Sequence, residues 1–233
     1  MKTALTSFLA LFLCFNAFAQ TNFNKLSAGA GYGLTQSFTD VARNDFAPSA
    51  YGTLDYFLTP FLSFGGELQY GKIKARPAAD DPTERQFVNA YKAASINGRL
   101  YLGALVDYDQ SNFLNAIKWF YIGSGAGIVR NNITRVTRVN KFTGNDFPGR
   151  DASFELMVPV NVGISYYFPN QSGNHKLALN LNLQSNLTMG EGLDGYDNSS
   201  ETFKDGFPDI YNFYSIGIKY HFGVLGLSKK SLY

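Results

Sequence analysis

The sequence predicts an all-β chain: an eight-stranded antiparallel up-and-down transmembrane β-barrel. Three observations carry that expectation. Apolar and polar residues alternate with a period of two in one segment after another, as in strands with one greasy and one polar face. Aromatics are abundant, with 15 Tyr and 21 Phe, and several cluster at strand ends, where barrels place their interfacial girdles. The connections between segments alternate between short and long, as they do in barrels with tight turns on one side and loops on the other.

The N-terminus sets the compartment. Lys2 supplies a positive flank, Ala4 to Phe15 is an apolar run, and Ala17-Phe18-Ala19 is an A-x-A cleavage site before Gln20. This reads as a secretory signal peptide over 1–19, too short for a spanning helix. Residues 20–233 are then the barrel, with 223–233 expected as a short periplasmic tail. The single cysteine, Cys14, lies inside the signal. Leu13 before it is too large for a lipoprotein cleavage box, so no lipidation is expected. The mature chain then has no disulfide, thiolate metal site or Cys nucleophile. A formal net charge of +2, without blocks of like charge, gives no pull toward nucleic acid.

The strands follow in order. The first sets Leu26, Ala28, Ala30, Tyr32 and Leu34 against Ser27, Gly29, Gly31, Gly33 and Thr35. The second sets Leu54, Tyr56 and Leu58 against Thr53 and Asp55. The third sets Leu62, Phe64, Leu68 and Tyr70 against Ser63, Glu67 and Gln69. The fourth sets Ile96, Leu100 and Leu102 against Ser95, Asn97 and Arg99. The fifth, around Trp119 to Asn131, has Gly123, Gly125 and Gly127 between Ser124 and Ala126, and its facing is ambiguous. The sixth is a clean alternation from Phe154 to Phe168, and the seventh repeats Leu at 177, 179, 181 and 183. Leu at every second position would spread around a helix instead of forming a stripe. The eighth carries Tyr214, Ile216, Ile218, Tyr220 and Phe222 on one face.

Thr59-Pro60 and the segment from Pro169 to His175 are short turns, assigned to the periplasmic side. Ser37–Phe46, Ala75–Val88, Thr137–Arg150 and Glu191–Pro208 are the long, outward loops. The connection from Val106 to Ile117 is long for a periplasmic one, and Asn112 to Ile117 within it reads as a helical turn. Phe46, Phe147 and Phe207 each precede or closely approach a proline at a strand start, which reads as a girdle anchor.

The stretch Asp55-Tyr-Phe-Leu-Thr-Pro-Phe-Leu-Ser-Phe-Gly-Gly-Glu67 resembles the second hairpin of small Bacteroidetes outer-membrane barrels of the OmpA-like or OmpX-like eight-stranded group. Ser215, Gly217, Tyr220 and Phe222 resemble their C-terminal assembly signal, although this chain continues past Phe222. The resemblance implies a bacterial outer-membrane location, with outer-membrane lipid and the barrel-assembly machinery as partners. The sequence departs from full-length OmpA in showing no C-terminal peptidoglycan-binding domain, so the cell-wall tether that resemblance would suggest is not expected.

Chemistry is sparse. Asp55, Glu67, Arg99, Glu155 and Lys219 fall on the inward face, and Glu67 and Arg99 lie on neighbouring strands. An eight-stranded lumen is just wide enough for side chains to fill it, so these charges read as a structural polar network. Two separated histidines, His175 and His221, give no metal spacing and no nucleophile–base pair, so neither metal, cofactor nor enzymatic activity is expected. The leading role is structural, adhesive or surface-interacting, through long loops whose ligand is unspecified. Two alternatives stand beside it: a narrow outer-membrane pore, and a soluble periplasmic lipocalin-like barrel with its apolar face inward.

Overall fold

The computed structural model describes residues 21–39, 41, 43–77, 84–139, 144, 148–168, 176–196 and 209–228. The segment 1–19 read as a signal peptide, together with His175, Phe147 and Phe207, lies outside them. The strands are β1 (Thr21–Phe38), the short β2 (Arg43–Asp45), β3 (Ala47–Thr59), β4 (Leu62–Arg76) and β5 (Phe87–Tyr101). After helix α1 (Asn112–Ile117) come β6 (Phe120–Val136), β7 (Ala152–Phe168), β8 (Leu177–Thr188) and β9 (Ile210–Ser228).

Every long strand pairs antiparallel with its neighbour in the chain, and β1 pairs with β9 to close an eight-membered ring. Closure leaves no bare edge in the ring, which satisfies the backbone of every strand without water. β2 continues β3 along the same edge of β4 after a one-residue shift of register, and there Arg76 forms an ion pair with Asp45.

The alternation has one sense all round. Leu68, Ile96, Leu156, Leu181, Ile216 and Ile218 point outward and are exposed, while Ser27, Asp55, Asn97, Asn161, Asn182 and Lys219 point inward and are buried. The facing of the fifth barrel strand is now defined: Tyr121, Val129 and Asn131 face in, Ile122 and Ile128 face out. A soluble ligand-binding barrel needs the opposite facing. No described helix is long and apolar enough to cross a membrane, which says nothing about strands.

Two expectations about strand ends change. Leu102 lies in a 3-10 turn, Leu102–Ala104, beyond the end of β5. The stretch from Gly223, expected as a tail, continues β9 to Ser228, and Leu225–Ser228 pair with Asn24–Thr21. Gly223 makes this continuation feasible. It adopts φ +86, a left-handed conformation that glycine enters without a Cβ clash, and sits opposite the register shift between Asn24 and Leu26. The result is a two-stranded ribbon that runs past the ends of β3 and β8.

Candidate functional site

The barrel interior is the best-defined polar site, and it is built in three layers. The lowest, at the short-turn end, is aromatic: Phe23, Phe57, Phe61, Tyr101, Tyr108 and Tyr121 are all buried together. Phe61 is carried inward by the tight turn, where its backbone N–H donates to Thr59 Oγ1 at 3.2 Å and its carbonyl accepts from Tyr101 N at 2.9 Å. The long connection between β5 and β6 closes this end. Leu114 of α1, with Ala104 and Val106, packs on the aromatic layer. Lys118 caps it, with its ammonium 4.7 Å from the Tyr108 ring centre and 5.6 Å from that of Trp119. Burial lowers the Lys118 pKa, with Asp109 opposing the shift, and burial pushes the Tyr108 hydroxyl up to about 12.

Above it lies the charge cluster. Asp55 of β3 is central: Arg99 Nη1 donates to its Oδ1 at 2.5 Å, and Lys219 Nζ donates to its Oδ2 at 2.6 Å. Ser27 Oγ adds a third hydrogen bond to Oδ2 at 3.3 Å. The other arm of Arg99 reaches Glu67 Oε2 at 3.2 Å, and Gln69 Nε2 donates to Glu67 Oε1 at 2.7 Å. All four charged side chains are at least 97% buried. Two carboxylates thus face two cations, so the cluster is neutral as a unit, the condition under which buried charge is tolerated.

The backbone explains the reach of Lys219. β1 runs between β3 and β9, with Ser27 opposite Asp55 and Gly29 opposite Lys219. A Cβ at Gly29 would lie 2.8 Å from Lys219 Cγ, so the missing side chain is what lets the lysine stem cross β1 to Asp55.

Asparagines extend the network around the far wall. Asn161 Nδ2 donates to Asn97 Oδ1 at 3.4 Å, and Asn182 Nδ2 donates to Asn161 Oδ1 at 3.2 Å. Tyr121 OH donates to Asn182 Oδ1 at 3.1 Å, and Asn180 Nδ2 donates to Ser165 Oγ at 3.0 Å. Pairing buried amides with one another avoids the desolvation cost of leaving them orphaned.

The upper layer is apolar and partly made by loops. Ile73, Phe87, Tyr91, Val129, Met157 and Tyr211 converge from five strands, and Val41, Leu193 and Tyr196 tuck in from the long connections. Asn89 Nδ2 holds the Leu193 carbonyl at 2.8 Å, and Tyr196 OH donates to the Thr137 carbonyl at 2.7 Å.

Of the five interior charges expected from the sequence, the structure joins Asp55, Glu67, Arg99 and Lys219. Glu155 does not belong with them. It has inward parity but sits near the top of β7, level with Val129, and its Oε1 accepts from Ser153 Oγ at 2.9 Å and Gly192 N at 2.8 Å. There it lines an open rim cavity of about 500 Å³ with Arg150, Glu191 and Tyr196. Ser215 and Gly217 face inward, while Tyr220 and Phe222 face outward with stacked rings 6.2 Å apart. Phe46 is exposed on the outer wall beside Tyr214, ring centres 5.9 Å apart. Among the described residues no group of three metal-ligating side chains occurs. His221 is buried between Phe57 and Tyr167, with ring centres 5.3 and 5.1 Å away.

The class defined by this geometry is a closed eight-stranded antiparallel barrel, apolar outside and filled inside. No family model matches the chain, and no curated protein does. Among solved structures it is similar to Ail, the attachment invasion locus protein of Yersinia pestis, crystallised with the heparin analogue sucrose octasulfate. That match has 10% identity and a TM-score of 0.46, and covers 86% of this chain and 99% of that one. Neisserial surface protein A matches at 14% identity and a TM-score of 0.44, covering 87% and 99%. The outer membrane protein OprG of Pseudomonas aeruginosa matches at 10% and 0.41, covering 87% and 98%. Likenesses this distant carry no argument about function; the barrel rests on its own strand pairing.

Proposed function

We propose that the chain is an integral protein of the bacterial outer membrane, with its short turns in the periplasm and its long loops outside. On this reading it has a structural, adhesive or surface-interaction role and performs no catalysis. The observation that carries the reading is the outer wall: a continuous apolar band around a polar interior, which water would not tolerate at this extent. Tyr and Phe at strand ends supply its girdles. Ser215, Gly217, Tyr220 and Phe222 are then the segment read by the assembly machinery, from within β9 and not from its end.

The test is fractionation followed by gel mobility with and without heating. The protein is expected in the outer-membrane fraction, starting at Gln20, and to migrate as a compact band in SDS until boiled. Recovery in the soluble periplasm, or a mobility indifferent to heating, would overturn the reading.

Two buried layers, one aromatic and one largely apolar, lie below and above the charge cluster and weigh against the narrow-pore alternative. In planar bilayers the purified protein is expected to give at most small, infrequent openings. Stable porin-sized steps in most insertions would favour transport instead.

A further inference from the structure

The outer wall is not uniform. Among the described residues, the exposed cations of the barrel strands stand on β4, β5 and β6: Lys72, Arg76, Lys92, Arg130 and Arg135. Lys92 lies opposite both Tyr70 and Arg130 in register, with its ammonium 5.7 Å from the Tyr70 ring centre. No acidic residue stands on the outward face of these three strands. Their height is set by the apolar band: the nine residues from Leu62 to Tyr70 of β4 make eight steps, ~27 Å along the strand and ~20 Å along the barrel axis at a tilt of ~40°. The cations thus begin where the hydrocarbon ends, at the upper interface.

Directly beneath them the wall is hollow. A groove of about 630 Å³ runs across four strands, floored by Gly52, Gly66, Ala94 and Ala126 and walled by Leu68 and Ile96. A second hollow of about 360 Å³ shares Leu68, Ala94 and Ile128 with it and reaches up to Lys92 and Arg130. The barrel itself does not require the floor glycines. A Cβ at Gly52 would meet only the Gly29 carbonyl at 3.8 Å, and one at Gly66 only the Ser95 carbonyl at 4.0 Å. That contrasts with inward Gly29, which packing demands. Small residues where larger ones fit leave room for something else.

We propose that this face binds one phosphorylated lipid of the outer leaflet. Its phosphate sits between Lys92 and Arg130, within reach of Lys72, and an acyl chain lies in the groove below. The ligand chemistry follows from the order of the surface: a concentrated positive charge at interface height, continuous with an apolar channel of ligand-sized volume. Ordinary snorkelling cations would be spread around the rim; these stand on three adjacent strands above the hollow. The proposal rests on the outer-membrane reading.

The test uses the full mature chain, refolded in neutral detergent, with native mass spectrometry against phosphatidylglycerol and phosphatidylcholine of identical acyl chains. Wild type is expected to prefer phosphatidylglycerol by about ten-fold or more, two cations being engaged. Lys92→Gln with Arg130→Gln should abolish the preference while leaving residual binding of both lipids. Gly66→Leu should weaken both lipids without changing their ratio, with Gly52→Val as the second groove variant should the first not fold. Inorganic phosphate at equal concentration should not displace the lipid, which separates a lipid site from a bare anion site. Equal binding of the two lipids, a preference that survives the double substitution, unaltered binding in the groove variants or displacement by phosphate would each overturn the proposal. A wild-type protein without a heat-modifiable band would overturn the membrane reading itself, and this proposal with it.

Discussion

Asp55→Asn is expected to destabilise the barrel by about 3–5 kcal/mol, the usual cost of removing one partner from a buried ion pair. The substitution keeps the shape of the side chain and deletes its charge. Arg99 and Lys219, both sealed from water, are then left with Glu67 as the only counter-charge in the cluster. The excess of one positive charge is the cause, so it can be cancelled. Asp55→Asn combined with Lys219→Met restores neutrality and should recover more than half of the loss. Equilibrium unfolding from lipid vesicles in urea measures both. A single variant within about 1 kcal/mol of wild type, or a double variant no better than the single, would show that charge balance does not govern the interior.

Leu181→Arg should cost about 2–4 kcal/mol, because Leu181 lies near mid-height on the outer face of β8 between Ile164 and Ile216. Leu187→Arg, near the long-loop end of the same strand, should cost about 0–1 kcal/mol, since the penalty falls toward the interface. The inward neighbour is no mild control. Asn182 is bonded to Asn161 and Tyr121, so an arginine there displaces a paired amide. Folding into neutral-lipid vesicles tests the depth dependence; equal costs at 181 and 187 would contradict a lipid-facing wall.

The strands were legible wherever the two faces differ in kind. Leu177 to Leu183 alternate with Ala, Asn and Asn, and such a contrast survives without any structure. β6 was illegible because both its faces carry small residues between Gly123 and Gly127, so period two has no contrast to report. The pair Glu67–Arg99 could be read from adjacent strands. The arm from Asp55 to Lys219 could not, because it crosses β1 and depends on ring closure and on the bare backbone at Gly29. The aromatic layers were missed for a different reason. Tyr91, Tyr211 and Phe213 share the parity of the polar inward set, but a reading that expects polar residues inside passes over them. Extending parity to the strand ends would have found the lower layer through Phe57 and Tyr101. The inward fold of the loop around Leu193 leaves no periodic signal at all.

The seam between β1 and β9 bears on how such a chain comes to be folded. It is a long contact, from Thr21 with Ser228 to Phe38 with Ile210, and it joins the two extremes of the described chain. All other pairings in the ring link strands that follow one another, and can form as hairpins from local sequence. The ring alone waits for the last strand to emerge. Until then the growing sheet has two bare edges and an apolar face, the combination most prone to pairing with the wrong chain. Closure is therefore the late, non-local step, and a chain shortened before Ile210 would not be a smaller barrel but an open sheet with its hazards intact.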